Sequence, residues 1–121
     1  MKSIFIPGNV PSSKNGKRWT GKFLIHSKTV MNYIKASKED WLENLPIFQN
    51  MIEEKKLPYK IGFKFIRNSR RKFDYINPAQ TTQDLMVKYG YIQDDNCDNI
   101  IPSFMEYKYD KENSGVEITV L

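Results

Sequence analysis

Four aspartates, Asp74, Asp84, Asp94 and Asp95, fall within one stretch of the chain, just after the basic run Arg70-Arg71-Lys72. Carboxylates are the ligands magnesium prefers. It takes one or two from a protein and fills the rest of its octahedron with water and substrate phosphate. Such an ion polarises a phosphodiester and activates an attacking water. The chemistry these residues could do is therefore metal-assisted phosphodiester hydrolysis, with the neighbouring cations on the backbone. A plainer reading stands beside it. Asp94-Asp95-Asn96 is ordinary turn chemistry, and Asp74 has Arg71 and Lys72 close by as ion-pair partners.

Cations cluster twice, as Lys14, Lys17, Arg18 and Lys22 and as Arg67, Arg70, Arg71 and Lys72, in a chain of net charge +5. Either group alone fits a solvated surface. Two groups flanking possible carboxylate ligands favour a phosphate backbone as partner. Trp19 lies in the first group and is the better stacking residue. Tyr75, Tyr89, Tyr91, Tyr107 and Tyr109 read more simply as packing. Cys97 and His26 are the only residues of their kinds, which excludes an internal disulfide, a cysteine zinc cluster and a histidine-rich metal site. Cys97 reads as inert and His26 as structural. The loop Pro11-Ser12-Ser13-Lys14-Asn15-Gly16-Lys17-Arg18 lacks the Walker glycine spacing and is no nucleotide cradle.

These residues must be positioned by a small set of elements. Ser3 to Ile6 reads as a strand closed by Pro7-Gly8, Asn9 to Lys17 as a loop, and Lys22 to His26 as a short strand. Ser27 is the expected N-cap of a helix whose face is Val30, Ile34, Ser37, Trp41 and Leu45. Pro46 should interrupt that helix or begin a second one. Tyr59, Ile61, Phe63 and Phe65 alternate with Lys60, Gly62 and Lys64, the clearest strand in the chain. Asn77-Pro78 reads as N-cap and first helical residue, with the helix running to Tyr89 and stopping at Gly90. Asp94 to Asn99 is a turn. Phe104 to Tyr109 and Val116 to Val120 read as a final hairpin. The expected fold is α/β (α+β), a mixed β-sheet with a few helices in one domain of 121 residues.

The helix after Asn77 poses a geometric condition. A dozen residues of helix span roughly 18 Å, so Asp74 and Asp95 meet only if the chain from Gly90 to Gln93 runs back along it.

The segment from Arg70 to Ile101 resembles the RusA family of Holliday-junction resolvases. That family's motif is a basic run, Asp-x-Asp-Asn, a helix with a lysine and then an aspartate, and an Asp-Asp pair before a strand. Asp74 and Asn77 match its first aspartate and its asparagine, Asp84 the helix aspartate, and Asp94-Asp95 the pair. The loop with Asn15 and the closing residues 109–121 are similar too. Two positions depart: Ile76 stands where the family has its second aspartate, and Gln80 where it has its lysine.

The resemblance implies a magnesium- or manganese-dependent endonuclease that cuts branched DNA as a homodimer. Asp74 and Asp95 would be catalytic, and Asp74, Asp95 and Asp94 would hold the metal. Lys14, Asn15, Lys17, Arg18, Arg70, Arg71 and Lys72 would bind DNA, and Asp84, Asp98, Lys14 or Lys88 could compensate for the departures. Ile76 and Gln80 equally favour a junction-binding protein that has lost cleavage. A third reading is a phage accessory protein with a protein partner. No apolar run approaches a bilayer span and the first residues show no signal-peptide pattern, so the cytoplasm is the expected compartment and no membrane is a partner.

Overall fold

The computed structural model describes residues 2–11, 17–19, 24–26 and 28–121. In chain order the elements are β1 (Ser3–Pro7), β2 (Lys17–Trp19), β3 (Leu24–His26), α1 (Lys28–Ile52), β4 (Tyr59–Arg67), α2 (Ile76–Lys88), β5 (Ile100–Phe104), β6 (Lys108–Tyr109) and β7 (Gly115–Val120). They make an α+β fold, a five-stranded mixed sheet with two helices and a separate β2–β3 ribbon.

β4 organises the sheet. Its alternation puts Ile61, Phe63 and Phe65 fully inside, and it is the longest strand because this apolar face runs unbroken. β7 pairs with it antiparallel on one side and with β1 on its other edge. On the other edge of β4 lie β5, parallel along residues 59–63, and, further along the same edge, β6, parallel at residues 66–67. A Cβ at Gly62 would lie 2.3 Å from the Met105 methyl, the far end of a flexible side chain that would have to move aside.

The expected closing hairpin is not formed. β6 and β7 lie on opposite sides of β4, and the turn between them passes over the strand's end, where Asp110 N–H donates to the Arg67 carbonyl at 2.9 Å. Ile100 to Phe104, of which the sequence reading assigned only Phe104 to a strand, is the strand that satisfies the open edge of β4 instead. Tertiary pairing has overridden a local turn signal.

Pro46 neither breaks α1 nor starts another helix; the helix is continuous through it. Proline removes one hydrogen bond and costs about 3 kcal/mol in a helix interior. Trp41, Phe48 and Met51, buried on either side of it, offset that, since each large apolar side chain contributes roughly 1.5–3 kcal/mol.

α2 also starts earlier than expected. Ile76 is its first residue, Tyr75 stands at the N-cap position without a side-chain cap, and Asn77 is inside the helix. Pro78 remains harmless there, because the first four N–H groups of a helix have no intrahelical acceptor.

Candidate nucleic-acid interface

The carboxyl end of β4 feeds the loop 68–75, and α2 begins at once. In a βαβ arrangement this end of the strand, with a helix N-terminus beside it, is where ligands and anions settle. The loop surrounds a cleft of about 860 Å³ into which Arg67, Arg70, Arg71 and Lys72 all open, with Asp74 the one acid on its wall.

Aromatic packing makes that wall firm. Phe73 meets Tyr75 and Tyr107, each at 5.2 Å between ring centroids, and Tyr75 stacks on Phe104 at 5.8 Å. The Tyr107 N–H donates to the Tyr75 hydroxyl at 2.9 Å. Arg67 lies 4.6 Å above the Phe73 ring and Arg70 lies 4.4 Å above that of Tyr109. Arg67 is half-buried and donates to the Val10 carbonyl. Burial lowers its pKa below the ordinary value, yet guanidinium remains charged at any working pH. Two of the four cations are thus pre-positioned by ring faces, which reduces the entropy lost on gripping a phosphate.

After α2 the chain does turn back, as far as Gln80, but among the described residues no hydrogen bond joins Asp95 to Asp74. Gly90 has φ +82°. Gly90 N–H donates to the Val87 carbonyl and Tyr91 N–H to that of Met86, the paired bonds of a Schellman stop. Tyr91 and Ile92 are then buried rather than extended along the helix, and the Tyr91 hydroxyl donates to the Trp41 carbonyl. These anchors turn the chain back toward the first half of α2.

There, Gln80 Nε2 donates to Asp84 Oδ1 at 2.8 Å and to Asp95 Oδ2 at 3.1 Å. One amide therefore ties together two of the carboxylates singled out in the sequence. Asp94 serves its own turn: its oxygens accept from the Asp95 N–H at 2.8 Å and from Asn96 Nδ2 at 3.2 Å. Ile76, the first residue of α2, is 66% exposed.

The metal implied by the resemblance can be tested against this donor set. Among the described residues no group of three or more His, Cys, Asp or Glu side chains converges to hold an ion. Asp84 and Asp95 converge, but on an amide that already occupies one oxygen of each; Asp74 lines the cleft. The residues do not fit the three-carboxylate set the family would use.

Ahead of the N-terminal cations in the chain, the Pro11 carbonyl accepts from the Thr81 hydroxyl at 2.9 Å and Asn9 Oδ1 accepts from the Asn68 N–H at 3.0 Å. Lys14, Asn15, Lys22 and the Ser27 cap lie outside the described residues. Lys17, Arg18, Trp19 and His26 are described as backbone only, on the β2–β3 ribbon, where Lys17 pairs with His26. Chain expected to be loop is therefore strand at Lys17. Cys97 is exposed and unpaired with any other cysteine.

The chain matches no family model and no curated protein. No helix of the described residues is long and apolar enough to cross a membrane.

Arg67 was counted in the second cation cluster but was absent from the DNA-binding set that the resemblance implies, although it ends the strand that alternation reveals. Its position at that end, one residue past the last apolar pair, was the available signal. Gln80 read as a lost lysine; its role as a bridge depended on the fold-back.

Proposed function

We propose that the protein binds the phosphate backbone of branched DNA, as a RusA-like homodimer that recognises junctions with little or no cleavage. The observation that carries this is the cleft where Arg67, Arg70, Arg71 and Lys72 converge beside a helix N-terminus. Its chemistry is that of a polyanion site, in which each neutralised phosphate releases counterions. A twofold axis would present two such clefts to the arms of a junction. Loss of cleavage is favoured by the Gln80 amide lodged between Asp84 and Asp95, and by isoleucine at the position of a ligand.

A second reading, a magnesium-dependent (or manganese-dependent) endonuclease that resolves Holliday junctions, is favoured by one feature. Asp95 is brought beside Asp84 on the Gln80 amide, and magnesium needs only one or two protein carboxylates. In that reading Asp74 and Asp95, with Asp94 or Asp84, are the ligands.

One experiment separates them. A labelled four-way junction and a linear duplex are titrated with protein, then incubated with magnesium and separately with manganese. Expected are salt-dependent binding that prefers the junction, no cutting by the wild type, and cutting gained by Ile76→Asp. Wild-type cutting abolished by Asp95→Asn would establish the second reading. Equal, weak binding to both DNAs would sink both.

A further inference from the structure

At the far end of α2 from the basic cleft, a separate groove of about 790 Å³ runs between α1 and the helix's last turn. Lys35, Lys38 and Lys88 rim it, and Met31, Ile34 and Tyr89 form its floor. No carboxylate lines it among the described residues, and none of the three lysines makes an ion pair there. On α1, Met31, Lys35, Lys38 and Leu42 follow at helical spacing and share one face. Met31 is 56% exposed and Leu42 44%, so the outer face of the helix carries apolar side chains that the core does not use.

We propose that this groove docks an acidic peptide segment of another protein, one bearing a large apolar side chain. Charge complementarity points to an anionic partner, and the floor decides its class. Nucleic acid would need cations plus an open aromatic face for its bases. Among the described residues the only ring here is Tyr89, already stacked with Trp41 at 13° between planes and lying under the Lys88 ammonium at 5.6 Å. The exposed floor is aliphatic and thioether, which a leucine or phenylalanine of a peptide fills and a nucleobase does not. The lysine rim would steer the acidic residues, and the floor would hold the anchor. This docking is independent of the DNA cleft.

The test uses the full chain and fluorescence anisotropy of a labelled nonapeptide of Asp, Glu and Gly ending in Leu-Phe. Controls are the same peptide ending in Ser-Ser and a single-stranded oligonucleotide of equal charge. Expected is saturable binding of the Leu-Phe peptide, about tenfold weaker in Lys35→Glu/Lys38→Glu and likewise in Met31→Asp, with the Ser-Ser peptide weaker by a similar factor. Junction binding should be unchanged in these surface variants, and circular dichroism should show them folded. Equal affinity for both peptides would overturn the proposal. So would indifference to the substitutions, or oligonucleotide binding that the lysine reversals abolish while the peptide stays free.

Discussion

A glutamine amide has two N–H donors and no charge, which is why Gln80 can hold Asp84 and Asp95 together but cannot neutralise them. Replacing it by glutamate puts a third carboxylate among them. Gln80→Glu should lose about 0.5–1 kcal/mol of stability in a chelator, from like charges at i, i+4 and across the turn. Added magnesium should restore it if the enlarged cluster takes the ion; thermal melts with and without metal measure both. In the cleft, Arg70→Ala/Arg71→Ala should weaken junction binding and flatten the dependence of log affinity on log salt by about 2, roughly one for each phosphate no longer neutralised. At this scale the sequence was informative about residue types: the basic run opens into one cleft with Asp74, and Asp84 and Asp95 meet on Gln80. It was silent on partners. That Asp94 would cap its own turn while Asp95 reached Gln80 depends on which way each side chain leaves a bend, and no spacing rule specifies that.

Elements were legible where periodicity was long and failed where a tertiary partner overrode a local signal. The alternation in β4, the helical face of Val30, Ser37 and Trp41, and the stop at Gly90 all stand in the structure. Pro46 and the supposed closing hairpin do not, because core burial holds α1 through the proline and β4 recruits β6 and β7 to opposite sides. Two substitutions test these accounts by urea denaturation. Gly90→Ala should cost about 1 kcal/mol or somewhat more, because φ +82° is strained for any residue with a Cβ even where nothing crowds it. Pro46→Ala should gain about 1–3 kcal/mol by restoring a helical hydrogen bond at an exposed position.

The molecule as a whole hides two phenols whose pKa burial raises, Tyr91 and Tyr33, and Tyr33 shows what such a proton does to stability. Tyr33 is buried, and burial pushes its pKa well above the ordinary 10.0, with Asp40 adding to the rise. Its hydroxyl has no hydrogen-bond partner among the described residues. Above pH 10 the unfolded chain releases this proton while the folded chain retains it, so the folded state binds more protons and stability falls as pH rises. The expected slope is about 1.4 kcal/mol per pH unit for the one group. Tyr33→Phe should remove that component and leave stability near neutral pH almost unchanged, as pH-dependent melts would show.

The order β1–β7–β4 has a consequence in time. The strand made last of those described lies between the first and the central one, with Ser3 facing Thr119 and Ile61 facing Val120. Chain emerging from a ribosome can form α1 and α2, but β1 has no neighbour until the residues around 120 are free. Pairings of such long sequence separation fold slowly. Until then β1 and one edge of β4 stay open to other strands. Because Val120 N–H already reaches the Lys2 carbonyl at 3.3 Å, joining the ends by a short linker and reopening the chain elsewhere would make β7 and β1 a local hairpin. The wait would end sooner.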